Sequence, residues 1–216
     1  MTARAVSAIP APAGSATRPS VRLIRLHLES RRVTAALATV AACALTLRIA
    51  LYWSWDTYGA LQLPLILESG CAAAIGITMG SPFGEPERAT GRWLPLLRLG
   101  SGIAMTATAV VALAVASIGA HLAGGIADLA RNVAGLVGIG LLCATLLGGA
   151  LAWTGPVVYM LVGAYGLYTD WHPPALTSPW IFPARPPDDL GGALCAAAVF
   201  AAGIAAATWR GARETP

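Results

Sequence analysis

The sequence predicts an all-α protein: a polytopic bundle of six transmembrane helices, preceded by an amphipathic helix lying in the membrane surface. Three observations predict it. Of the 216 residues, 56% are apolar and 11% charged, where a soluble domain carries about 25% charged residues; mean hydropathy is +0.67. Apolar runs near 20 residues, the length that crosses a hydrocarbon core of about 30 Å, occur six times. All 14 basic residues are arginine, and they gather between alternate runs.

The first stretch, residues 1–19, is small, proline-bearing and without an apolar run, and reads as a disordered cytoplasmic tail. Residues 20–32, SVRLIRLHLESRR, place Val21, Ile24 and Leu28 on one helical face and Arg22, Arg25, Glu29 and Arg32 elsewhere. Such a segment lies in the membrane plane, arginines among phosphates and leucines among acyl chains; the other reading is a cytoplasmic extension of the first span. No secretory signal is expected, since the first long apolar stretch begins at Val33 and is long enough to span.

A transmembrane domain follows over residues 33–210. Its spans are expected at Val33 to Trp53, Leu61 to Met79, Leu99 to Leu122, Val133 to Trp153, Pro156 to Trp171 and Leu190 to Trp209, with a cytoplasmic tail at 211–216. The fifth is the shortest. About 16 residues rise only about 24 Å, so it needs a thinned bilayer or continuation by the segment that follows it. With both termini in the cytoplasm, eleven arginines flank spans inside and only Arg131 and Arg185 lie in outer loops, the asymmetry expected of a multi-pass plasma-membrane protein. The seven tryptophans then fall at span ends, where amphipathic rings sit.

Arg48 and Glu68 are the two ionisable residues read as lying well inside spans. Both sit about 7 to 11 Å below the outer boundary by helical rise, on helices joined by the turn SWDTYGA. An intramembrane Arg48–Glu68 ion pair is therefore expected, of the kind that is costly to break singly. The competing reading has Arg48 snorkelling to the headgroups and Glu68 neutral.

Two connecting segments stand out. SPFGEPERATGRWLPLLR, residues 81–98, carries Glu85, Glu87, Arg88, Arg92 and Arg98, and Pro86 can open a short helix that Gly91 closes. It reads as a cytoplasmic docking surface, or as an ordinary polar loop. TDWHPPALTSPWIFPARPPDD, residues 169–189, holds six of the 15 prolines, Pro174 among them, with Trp171, Trp180 and Phe182 between. Prolines forbid one continuous helix, and aromatics resist full solvation. It reads as a re-entrant outer cap or gate, or as an ordered surface loop.

Absences narrow the function. Without lysine there is no P-loop lysine and no Schiff base in this chain. The three histidines are on different segments, so no metal site is expected. Cys43, Cys71, Cys143 and Cys195 all fall in spans and read as packing residues without a disulfide. No nucleophile motif stands out, so neither a catalytic residue nor a cofactor is expected, and nothing points to nucleic acid. Small residues at four-residue spacing, Gly76/Gly80, Gly119/Ala123, Ala197/Ala201 and Gly203/Ala207, suggest a tight bundle.

An amphipathic segment, six spans with both ends inside, a charged second cytoplasmic segment and a proline-aromatic segment before the last span, in that order, resemble the membrane subunit of ABC-2-type exporters and actinobacterial permease-like proteins. The resemblance implies a permease energised by a separate ATPase subunit, and a homodimer or heterodimer in the bilayer. It implies that Glu85, Glu87, Arg88 and Arg92 form the ATPase-coupling segment, and that Trp171, Pro174, Trp180 and Phe182 belong to the gate. The alternative is a non-transporting membrane scaffold or regulatory protein.

Overall fold

A computed structural model describes residues 33–53, 57–78, 94–120, 122, 124–168 and 178–210. The readings of residues 1–19, 20–32, 81–93 and 211–216 lie outside the described residues, and with them Glu85, Glu87, Arg88 and Arg92.

Among the described residues there are six α-helices, α1 Val33–Ala50, α2 Thr57–Thr78, α3 Leu94–Ala116, α4 Gly125–Leu147, α5 Thr154–Tyr168 and α6 Leu190–Trp209, and no strand. Six stretches are long and apolar enough to cross a membrane, the fifth because the 3-10 turn Gly149–Leu151 precedes α5 and extends it to a 20-residue span over Gly149–Tyr168. The chain is a multi-span all-α membrane protein. Large apolar side chains are exposed on every helix, among them Leu45, Ile66, Val111, Leu146, Leu161 and Leu194. A helix apolar all round is what a lipid solvent selects. Several threonines in the spans turn their hydroxyls back onto their own helix: Thr106 Oγ1 donates to Gly102 O at 2.8 Å and Thr208 Oγ1 to Ile204 O at 2.7 Å, which satisfies those hydroxyls without water.

The helix α4 is the centre of the bundle. It is 61% buried over its apolar stretch, against 22% for α1 and for α6. It packs most extensively on α6, then on α2. The α4–α6 crossing is backbone on backbone: a Cβ added at Gly138 would lie 2.6 Å from Phe200 Cα, and one at Gly203 would lie 2.9 Å from Gly138 Cα. Glycine is what permits this approach. Of the small-residue pairs, Gly203/Ala207 faces the core, Ala197/Ala201 is exposed, and Gly119 is an exposed turn residue at φ 76; Gly80 and Ala123 lie outside the described residues.

Helix bounds differ from hydropathy where glycine decides. The third helix begins at Leu94 and stops at Ala116, before the turn made by Gly119. The fourth starts at Gly125, eight residues before the expected Val133, and ends at Gly148, whose φ of 98 breaks the ladder. Hydropathy skips Asp128, Arg131 and Asn132, although all three are helical. Arg131, expected in an outer loop, is therefore inside α4 and 7% exposed.

Candidate functional site

Polar groups converge at the distal end of the bundle, the end opposite Val33 and Trp209. Helix α4 supplies most of them. Asp128, Arg131 and Asn132 are spaced three and four apart, which puts them on one helical face. Asp128 sits in the first turn, where a carboxylate meets the positive end of the helix dipole. The Asp128 side chain lies over Gly124: a Cβ there would be 2.8 Å from Asp128 Cβ.

The guanidinium of Arg131 organises the site. Its Nη1 donates to Pro186 O at 2.7 Å, and Nη2 donates to Arg185 O at 3.0 Å and to Asp128 Oδ1. Nε has no acceptor. Arg131 thereby ties α4 to the segment between α5 and α6 and neutralises Asp128. Asn132 Nδ2 approaches the other carboxylate oxygen, Asp128 Oδ2, at 3.4 Å.

The segment Arg131 holds belongs to the proline-aromatic stretch between α5 and α6, and its described part, residues 178–189, packs onto the bundle end. Residues 178–189 contain one 3-10 turn, Phe182–Ala184, with Pro183 inside it. Ile181 and Phe182 are fully buried. The Phe182 ring lies on Gly135, ten residues into α4 and so about 15 Å along the helix axis, and 4.9 Å centroid to centroid from Tyr159. The Tyr159 hydroxyl donates to Trp180 O, while the Trp180 side chain is half exposed. Trp171 and Pro174 lie outside the described residues. At the far end of the cap, Asp189 accepts from Gly192 N at 2.7 Å and pairs with Arg185 at 3.1 Å. The Arg185 guanidinium, then the Gly192 amide, hold the Asp189 carboxyl below its ordinary value of 3.8. Asp189 is thus both N-cap of α6 and anchor of the cap.

Glu68 enters from α2. Leu65, Glu68, Ala72 and Ile75 form one buried stripe, and the stripe faces α4, which is the neighbour α2 packs on most. Glu68 is 2% exposed, and its Oε2 has no hydrogen-bond donor. Asn132 Oδ1, equally buried, is in the same position. Glu68, Asp128 and Asn132, with Pro64, Leu129 and Pro183 among others, line a cavity of about 20 Å³.

The expected Arg48–Glu68 pair is not formed. Arg48 Nη1 donates to Ala116 O at 3.4 Å and to Ile118 O, and Nη2 to the Tyr52 hydroxyl at 3.4 Å, with the guanidinium 5.2 Å above the Tyr52 ring. Arg48 lies in the last turn of α1 and Glu68 in the middle of α2, and the two side chains turn to different neighbours. Carbonyls at the C-terminal end of α3 have no helical donor and carry partial negative charge, so they draw Arg48, whereas Glu68 turns to α4. The residues missed from sequence are Asp128, Arg131 and Asn132. Their signal was the three-and-four spacing in DLARN after a Gly–Gly pair. The four cysteines are free.

Comparison of the chain with protein-family models, with curated proteins and with solved structures finds no match.

Proposed function

We propose that the protein is the membrane subunit of an ATP-driven exporter of the ABC-2 type, working as a dimer with a separate ATPase chain. The observation that carries this reading is the segment before the last span. Residues 178–189 leave the bundle end, bury Ile181 and Phe182 to the level of Gly135 and return as α6, a re-entrant element in the position where such exporters have one. The distal end is then the outer face. A dimer belongs to the proposal because one six-span subunit needs a second to enclose a path. ATP binding next door would alternate two packings of that dimer, with residues 81–98 transmitting the motion.

Affinity purification of the tagged chain in mild detergent from its native membrane tests this. A co-purifying ATPase with a P-loop, lost from a Glu87→Ala/Arg88→Ala variant that still inserts, is the expected result. A monomer that brings down no ATPase overturns it and favours a non-transporting scaffold.

A further inference from the structure

The cavity beside Glu68 has an unbalanced charge and an unbalanced set of hydrogen-bonding atoms. Its polar lining consists of two carboxylates and one amide, from Glu68, Asp128 and Asn132. Glu68 Oε2 and Asn132 Oδ1 are buried acceptors without a donor, a costly arrangement in a low-dielectric interior. Arg131 acts on Glu68 only through space and donates no hydrogen bond to it. Arg131 directs both terminal nitrogens to Pro186 O, Arg185 O and Asp128 Oδ1. Among the described residues two carboxylates therefore share one guanidinium that is already committed to Asp128, and Glu68 is left to be balanced by a proton or by a bound cation.

We propose that this cavity binds one small monovalent cation, sodium, with Glu68 as its anionic ligand and Asn132 Oδ1 as a neutral one. The volume of about 20 Å³ admits one body the size of a water molecule. Oxygen-only ligands are those of hard cations. A divalent ion would leave a net positive charge inside the bundle, which is expensive there; a monovalent ion leaves none. Among the described residues no three His, Cys, Asp or Glu side chains come together, so the set is not one for a transition metal. The rim includes Leu122, Gly124 and Gly125 at the distal end, where α4 begins and Gly125 takes φ 71.

Among the described residues the titratable and charged groups that act on Glu68 are Cys71 on its own helix and Asp128 and Arg131 on α4. Sodium entering displaces a proton from the Glu68 carboxyl to solvent: the O–H bond breaks, the electron pair stays on the carboxylate and Na⁺ replaces H⁺. The site is independent of what energises the protein and stands if the exporter reading fails.

The test uses the full chain purified in detergent, with sodium chloride exchanged for choline chloride at constant ionic strength. Sodium is expected to raise the Tm of the wild type saturably, as a ligand of the folded state does, and to remove the infrared carbonyl band of a protonated carboxylic acid. Glu68→Gln, which keeps the shape and removes the charge, is expected to lose both responses. Equal Tm in the two salts with the acid band present in both overturns the proposal, since a permanent proton then balances Glu68. A sodium response undiminished in Glu68→Gln overturns it as well. Should Glu68→Gln fail to accumulate, the wild-type infrared difference decides alone: loss of the acid band in sodium supports the site, and an unchanged band overturns it.

Discussion

The Phe182 ring packs on Gly135 so closely that a Cβ on residue 135 would stand 2.7 Å from ring carbon Cε2. Phe182 is 1% exposed. Gly135→Ala is therefore expected to unseat the cap despite a gain in helix propensity of about 1 kcal/mol, because overpacking a filled core costs about 1 to 3 kcal/mol. Hydrogen exchange at residues 181–185 should accelerate. Combining Gly135→Ala with Phe182→Leu should restore protection, a non-additivity expected only of residues in contact.

The Gly138–Gly203 crossing gives a second outcome. Here the obstacle to a Cβ is backbone, which cannot rotate away. Gly138→Ala or Gly203→Ala should lower the Tm strongly, or abolish accumulation in the membrane, with Gly203→Leu worse. Gly100 on α3 is the control. A Cβ there meets nothing within 4 Å, so Gly100→Ala should be neutral or stabilising by up to about 1 kcal/mol.

Arg131 is expected to be the most sensitive charged residue. Arg131→Met removes the donors to Pro186 O and Arg185 O and strands Asp128. Removing one partner of a buried pair costs about 3 to 5 kcal/mol. The double variant Arg131→Met/Asp128→Leu should be less damaged than the single, as read by thermal unfolding, because no uncompensated charge remains.

The α6 cap should be acid-sensitive. The Asp189 carboxyl is held below 3.8 by Arg185 and the Gly192 amide, so the folded state binds this proton less readily than the unfolded chain. Its contribution is full above the unfolded value and is lost as pH falls through the lower, folded one. Exchange at the Gly192 amide should speed up as pH is lowered through that window, beyond the intrinsic pH dependence. In Asp189→Asn, which keeps a capping oxygen, the pH-dependent component should vanish.

Arg48 and Glu68 should behave as strangers. Since Arg48 holds the Ala116 and Ile118 carbonyls, the double swap Arg48→Glu/Glu68→Arg should express no better than the worse single variant. Rescue by the double swap would show that the two side chains meet.

Composition and apolar run length were enough to determine that this chain is a bundle of six membrane-spanning helices, because lipid accepts only helices or closed barrels and the runs are helix-length. Pro174, Trp180 and Phe182 in a proline-rich stretch were enough to suggest a cap, and α6 begins and ends where its apolar run does. The tertiary structure alone decided which polar residues meet. Hydropathy averages over a window and has no azimuth, so it placed Arg48 and Glu68 at one depth without seeing that one faces α3 and the other α4. For the same reason it cut α4 short at Asp128, Arg131 and Asn132, whose cost inside a span is offset by carbonyls at 185 and 186, more than fifty residues away in the chain.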